Sequence, residues 1–168
     1  MSARWRVPAP SCGVEELKNL SLCKKDVVVG ISASGGAAYV VNALRYARSL
    51  GCTAVCVVCN PGSPMEQESD IAIVTQTGAE VLTGSTRLKA GNAQKMVLNM
   101  LSTASMVRSG HVYENMMINL KPTNIKLRDR VIRIVVQITA LEYAAAEALL
   151  ERADWVIRDA IQLWKQEG

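Results

Sequence analysis

The stretch DVVVGISASGGAAYV, residues 26–40, decides the predicted fold of this chain. It begins with an apolar run from Asp26 to Gly30, and continuously apolar runs are typical of strands buried in a parallel sheet. Serine and glycine follow, and apolar residues then recur at helical spacing, at Val40, Val41, Leu44 and Ala47. The stretch therefore predicts a strand, a loop and a helix, which together open an α/β fold.

Two further strands are predicted over 53–58 and 71–75, with a turn cluster at 60–64 between them. Helices are predicted over 86–108 and 123–139, and two short helices over 141–165. Strands that alternate with helices predict an open, mostly parallel sheet with helices on both faces. The 86–108 helix is apolar on more than one face, so we expect it to be central and buried.

Composition restricts the class of protein. Of the 168 residues, 49% are hydrophobic and none is Phe, which predicts a globular chain with an aliphatic core. The net charge of +4 is scattered, and the basic cluster at 121–133 is interrupted by Asp129, so we expect no nucleic-acid partner. No apolar stretch reaches the roughly 20 residues of a membrane span, and the N-terminus lacks the apolar segment of a secretory signal. We expect a cytoplasmic protein with no membrane partner.

The five cysteines are an odd number, which favours free thiols. Cys56 and Cys59 form a C-x-x-C pair, but they fall in or beside a predicted buried strand. Residues three apart on a strand point to opposite faces, so we expect neither a metal site nor a redox pair.

The loop at 32–36, with the sequence SASGG, follows the first predicted strand at its carboxyl end. Free N–H groups at the start of the next helix, the helix dipole and the Ser32 and Ser34 hydroxyls all favour an anion there. Gly35 lets the backbone approach a ligand closely. The alternative is an ordinary helix cap, for which serine is a preferred residue. The loop is not a P-loop, because no G-K-[ST] sequence follows.

A second polar constellation, EVLTGSTRLK, spans residues 80–89. Arg87 and Lys89 lie in the first turn of the predicted helix, where cations are unfavourable, which suggests a bound anion or a compensating buried partner. Glu80 could accept hydrogen bonds from sugar hydroxyls or pair with Arg87. The alternative is a capped helix with a surface ion pair.

The stretch GAEVLTGSTRLKAGNAQKMVLNMLST, residues 78–103, resembles the signature of the N-acetylmuramic acid 6-phosphate etherases, which glucokinase regulatory proteins share. The runs DVVVGISASG, CNPGSP and ESDIAI are similar to the same family in the same order, and the resemblance covers about residues 13–160.

This resemblance implies a sugar isomerase (SIS) domain, a three-layer parallel sheet flanked by helices that is usually dimeric and binds phosphosugars at its strand ends. It implies cleavage of the lactyl ether of N-acetylmuramic acid 6-phosphate, by elimination and water addition without cofactor or metal, to N-acetylglucosamine 6-phosphate and lactate. The expected partners are a phosphorylated amino sugar and either a second copy of the chain or a complementing N-terminal half. The expected substrate-binding residues are Ser32, Ser34, Gly35, Glu80, Ser85, Thr86, Arg87 and Lys89.

Two departures from the family pattern bear on activity. The family's upstream half, with a first strand, a G-x-G-T-S-G-R loop and two glutamates acting as acid and base, has no counterpart here, so we expect an N-terminally truncated domain with no catalytic residues. Family etherases also continue the A-S-G of the first loop with Arg-Thr-Pro, where this chain has Gly36, Ala37 and Ala38. We therefore expect an etherase-like protein that is inactive alone, and the alternatives are a non-catalytic phosphosugar-binding or regulatory module and a non-functional truncated relative.

The predicted organisation has three parts. Residues 1–12 match nothing in the family, residues 13–139 form the partial SIS domain, and residues 140–168 form a small helical appendage. His111, the only histidine, and Glu114 are more typical of surface positions than of a catalytic pair.

Overall fold

The computed structural model describes residues 9–167, so most of the predicted 1–12 segment lies outside the described residues. The described residues divide into two compact units, one that ends at residue 100 and one that begins at residue 101. The predicted domain limit at 139/140 stays a prediction.

The first unit contains the α/β part of the chain. Its elements, in order, are α1 (Cys12–Lys18), β1 (Val27–Ile31), α2 (Ala38–Ser49), β2 (Thr53–Val58), α3 (Pro64–Gln67) and β3 (Ile71–Val74). Helix α4 (Lys89–Arg108) begins in this unit and ends in the second. The three strands confirm the sequence prediction to within one residue at each end.

The three strands form one parallel sheet in the order β1-β2-β3. Val29 of β1 lies opposite Val55 of β2, and Val57 of β2 lies opposite Ile73 of β3. Parallel strands need a crossover connection, and α2 and α3 supply the two crossovers. The predicted fold class, a parallel α/β sheet flanked by helices, is confirmed.

Helix α2 packs on one face of this sheet through Leu44, which is fully buried. The cluster around it combines strand residues with one residue of α3: Ala54, Cys56, Val58 and Met65. Gly30 allows this packing, because a Cβ there would lie 2.6 Å from Val40 Cγ1 and 2.8 Å from Leu44 Cδ1. A glycine in the middle of an apolar strand therefore marks the close approach of a helix.

The second unit has a two-stranded hairpin, β4 (Val112–Tyr113) with β5 (Met116–Met117), and three helices. The helices are α5 (Ile125–Thr139), α6 (Tyr143–Arg152) and α7 (Ile157–Glu167). Asn124 caps α5 by accepting a hydrogen bond from the Leu127 N–H at 2.9 Å. The three helices share one core, whose fully buried side chains include Val131, Val135, Leu150 and Ile157.

The predicted burial of the long helix is wrong for this chain. Helix α4 begins three residues later than predicted, and Ala90 is its one buried residue. Met96 and Met100 are 55% and 61% exposed, although no charged residue occurs between Lys95 and Arg108. The prediction failed because the apolar faces of α4 have no covering element among the described residues. Across residues 9–167, no helix combines the length and the apolarity that a membrane crossing requires.

Candidate functional site

A cavity of about 280 Å³ lies in the first unit, at the carboxyl ends of the three parallel strands. Ala33 and Ser34 follow β1, and Cys59 and Asn60 follow β2. The rest of the wall comes from the segment between β3 and α4: Thr77, Gly78, Ala79, Glu80, Thr83, Gly84, Ser85, Thr86 and Ala90. Open α/β sheets bind their ligands at this edge, which makes the cavity the candidate site.

The loop between β1 and α2 is held by hydrogen bonds of its own serines. The Gly35 N–H donates to Ser32 Oγ and the Gly36 N–H donates to Ser34 Oγ, each at 3.3 Å. The loop is also tied to β2, because the Cys59 N–H donates to the Ala33 carbonyl at 2.9 Å. Ser34 is thereby fixed at the cavity wall.

Gly35 is required by both the backbone and the space around it. Its φ is +70°, a left-handed conformation that costs other residues energy. A Cβ at this position would lie 2.3 Å from Ser63 Oγ, so the loop packs directly on the start of α3. The Gly35 carbonyl also accepts a hydrogen bond from the Met65 N–H at 3.0 Å. The glycine therefore sets the distance between the first two loops of the site.

Glu80 caps the N-terminus of α4. Its Oε2 accepts a hydrogen bond from the Lys89 N–H and its Oε1 accepts one from the Ala90 N–H, both at 3.0 Å. These two backbone hydrogen bonds are the main reason that the pKa of Glu80 lies below its ordinary value of 4.5. Because the ionised form is favoured, the cap is complete at neutral pH and weakens only as pH falls through the lowered pKa.

Ser85 presents a buried hydroxyl to the site. It lines the cavity, and its Oγ is buried without a hydrogen-bond partner among the described residues. Buried polar atoms are almost always paired, so this hydroxyl has its hydrogen-bonding capacity available to a group that enters the cavity. Ser63 Oγ and Gln94 Nε2 are the other orphaned side-chain atoms in the described part of the chain.

The structure brings together part of the predicted site. Ser34, Glu80, Ser85 and Thr86 line the cavity. Ser32 and Gly35 do not line it, but the Ser32 hydroxyl contacts the Ser34 hydroxyl and accepts a hydrogen bond from the Gly35 N–H. Arg87 and Lys89 are exposed and are not among the lining residues. The Lys89 ammonium donates instead to the Ala79 carbonyl at 2.9 Å. Binding roles for these eight residues stay predictions.

Sequence reasoning missed Asn60, Thr77 and Thr83, which also line the cavity. The sequence pattern places Asn60 only in a turn, although a polar residue directly after a parallel strand faces the same edge as the SASGG loop. The position of each residue relative to its strand end is therefore the available signal. Glu80 contacts the start of α4 through the Lys89 and Ala90 N–H groups, whereas the ion pair with Arg87 that the sequence analysis offered as one alternative does not form among the described residues.

His111 and Glu114 belong to the second unit and do not line this cavity. Both line another cavity, of about 480 Å³, beside the hairpin and the last turns of α4. Its floor is apolar, with Met106, Val107 and Met117.

A comparison with protein families supports the assignment of the fold. The SIS domain model matches residues 15–104, so the chain belongs to the SIS domain family. The matched region contains the whole sheet and every residue that lines the candidate site.

Among curated proteins, the chain resembles the N-acetylmuramic acid 6-phosphate etherases of Salmonella typhimurium strain LT2 and Yersinia pestis strain Pestoides F. It is 53% and 52% identical to them over 149 residues, which is 89% of this chain and 50% of each relative. The chain therefore spans about half the length of the curated relatives it matches.

We expect Gly35→Ala to destabilise the protein by more than Gly62→Ala. Gly62 also has a positive φ, of +71°, but nothing lies within 4 Å of the position that a Cβ would take there, so its substitution costs only the backbone strain. That strain is about 1–2 kcal/mol, and overpacking against Ser63 adds about 1–3 kcal/mol at Gly35. Urea unfolding of both variants measures the difference, and equal losses would contradict the packing of Gly35 on Ser63.

Proposed function

We propose that this chain is the phosphosugar-binding part of an etherase-type SIS protein, and that its cavity holds a phosphorylated amino sugar. The observation that carries the proposal is the orphaned Ser85 hydroxyl in a cavity that Ser34, Thr83 and Thr86 also line. Hydroxyl groups at strand ends are donors suited to phosphate oxygens and to sugar hydroxyls. The relatives named above are etherases of N-acetylmuramic acid 6-phosphate, which supports an amino-sugar 6-phosphate as the ligand.

The proposal does not include turnover by this chain alone. Elimination of the lactyl group requires one group to abstract a proton and another to protonate the leaving oxygen. Among the lining residues, Glu80 carries the one carboxylate, and its two oxygens already accept hydrogen bonds from the start of α4. A non-catalytic binding or regulatory role is therefore the second candidate function.

Five free cysteines, three of them buried, support the cytoplasm as the compartment.

We expect N-acetylglucosamine 6-phosphate to bind and to raise the melting temperature at millimolar concentration, because a ligand of the native state stabilises it by mass action. Ser85→Ala should weaken binding about ten- to hundredfold, since it removes one hydrogen bond to a charged group. Ser49→Ala is the matched control, because the Ser49 hydroxyl donates to the Tyr46 carbonyl at the far end of α2. Titration calorimetry measures both, with unphosphorylated N-acetylglucosamine as the ligand control. No melting shift at any concentration up to about 10 mM, roughly tenfold above the weakest affinity typical of enzyme substrates, would contradict the proposal.

We expect the purified chain to release no lactate from N-acetylmuramic acid 6-phosphate under conditions in which the ligand binds. The reason is the absence of a free acid and base in the cavity wall described above. An enzyme-coupled lactate assay, with a full-length etherase as positive control, measures this directly. Turnover that copurifies with the chain and disappears in Ser85→Ala would show that the chain is itself an etherase.

We also propose that the chain works in an assembly, either with a second copy or with a chain that carries the half of the relatives it does not match. The supporting observation is the uncharged segment of α4 between Lys95 and Arg108, with exposed Met96 and Met100 one turn apart. An exposed helix without a charged face is unusual on the surface of a monomeric protein. Contiguous exposed apolar patches mark interaction sites.

We expect light scattering to give twice the mass of one chain, and Met100→Lys to reduce it to one, because a buried lysine without a partner is costly. Ile125→Lys is the control, since Ile125 is 87% exposed at the start of α5 and lies outside α4. A wild-type chain that is monomeric would favour the complementing chain. A dimer that Met100→Lys leaves intact would exclude this face of α4 as the contact.

A further inference from the structure

Two side chains, those of Glu80 and Lys89, tie together the ends of the segment that leads from β3 into α4. Glu80 stands at the beginning of the segment, and its carboxylate accepts hydrogen bonds from the Lys89 and Ala90 N–H groups at its end. The Lys89 ammonium adds a second tie, to the carbonyl of Ala79. Residues 80–90 therefore form a loop whose two ends are held together, and we name it the 80–90 loop.

The residues inside the 80–90 loop form one wall of the cavity. Thr83, Ser85 and Thr86 belong to this wall. The loop has internal hydrogen bonds of its own, from the Ser85 N–H to the Leu82 carbonyl at 3.0 Å and from the Gly91 N–H to the Thr86 carbonyl at 2.9 Å. The first of these contacts holds residues 82–85 and the second holds residues 86–91. Glu80 is the side chain that joins the first residue of the loop to α4.

The geometry of Glu80 separates it from the other polar residues of the wall. Ser85 has an orphaned hydroxyl, whereas each Glu80 oxygen has a backbone donor at 3.0 Å. A carboxylate that accepts from two backbone N–H groups at a helix N-terminus also interacts favourably with the positive end of the helix dipole, and the nearby Lys89 charge further favours its ionised form. Replacing those donors with sugar hydroxyls would leave the start of α4 uncapped, which is costly.

We propose that Glu80 is a positioning residue for the ligand, a latch that holds the 80–90 loop closed and so places Ser85 and Thr86 against the phosphosugar without touching it. This inference rests on the proposed function for its ligand, but the latch itself is a property of the ligand-free protein. The two parts therefore have separate tests.

The test compares Glu80→Gln with Glu66→Gln. Glu66 is the matched control, because its carboxylate also accepts a backbone hydrogen bond, from the Gly62 N–H at 2.7 Å, and it does not line the cavity. Glu80→Asp is the second variant, since it keeps the charge but is one methylene too short to reach both N–H groups. Amide exchange of Lys89 and Ala90, followed by NMR without ligand, reports the latch. Titration with N-acetylglucosamine 6-phosphate reports the positioning.

We expect Glu80→Gln and Glu80→Asp to speed exchange at Lys89 and Ala90 and to weaken the phosphosugar about tenfold or more, as loss of charge-assisted hydrogen bonds implies. Glu66→Gln should leave both quantities within about twofold, because its single hydrogen bond lies outside the site. Weakened binding with unchanged exchange would overturn the latch and make Glu80 a direct ligand contact. Faster exchange with unchanged affinity would overturn the positioning role. If the wild-type chain binds no phosphosugar, the proposed function and the positioning role both fail, whereas the exchange result still decides whether the latch exists.

Discussion

The first unit depends on the pairing of β2 along both of its edges. Its residues from Ala54 to Val58 are all buried, and the parallel hydrogen bonds of β1 and β3 satisfy its backbone on either side. Burial without such pairing would leave polar backbone groups unsatisfied, at a cost comparable to a lost hydrogen bond for each group. The side chain of Asp70 extends the pairing, because its Oδ2 accepts a hydrogen bond from the Ala54 N–H at 2.8 Å. Because both pairings are parallel, the carboxyl ends of all three strands lie at the same edge of the sheet.

That common edge explains where the candidate site lies. Each strand delivers a loop to it, and each loop is held by a different contact: the serine bonds and the Gly35–Ser63 packing after β1, the Cys59–Ala33 bond after β2, and the Glu80 cap after β3. The third loop is the longest and depends most on a side chain. A rigid sheet thus supports a wall whose shape is set by hydrogen bonds that a single substitution can remove.

The strands and the order of the loops could be predicted from the sequence, because in an α/β chain a continuous apolar run followed by glycine and serine is typical of a buried strand that ends in a loop. The exposure of α4 could not. The periodicity of a helix shows which of its residues are apolar, but a neighbouring element is needed to bury them. No element buries Met96 and Met100 among the described residues. The hydrogen-bond partners of Glu80 could not be predicted either. Lys89 and Ala90 lie nine and ten residues further along the chain, and neither helix nor strand periodicity relates residues across an irregular loop.

The hydrogen bonds of Glu80 also bear on whether this residue is suited to binding or to catalysis at the candidate site. A carboxylate acts as a general base when its oxygens can reach a substrate proton and when its pKa lies near the working pH. Glu80 is poorly suited on both counts, because a backbone N–H group takes one acceptor position on each oxygen and these hydrogen bonds hold its pKa below the ordinary value. The same hydrogen bonds that make it a poor base make it a good cap, since the ionised form binds the positive end of α4. An acid–base pair for ether cleavage would therefore have to reach the open side of the cavity from residues other than those that line it here.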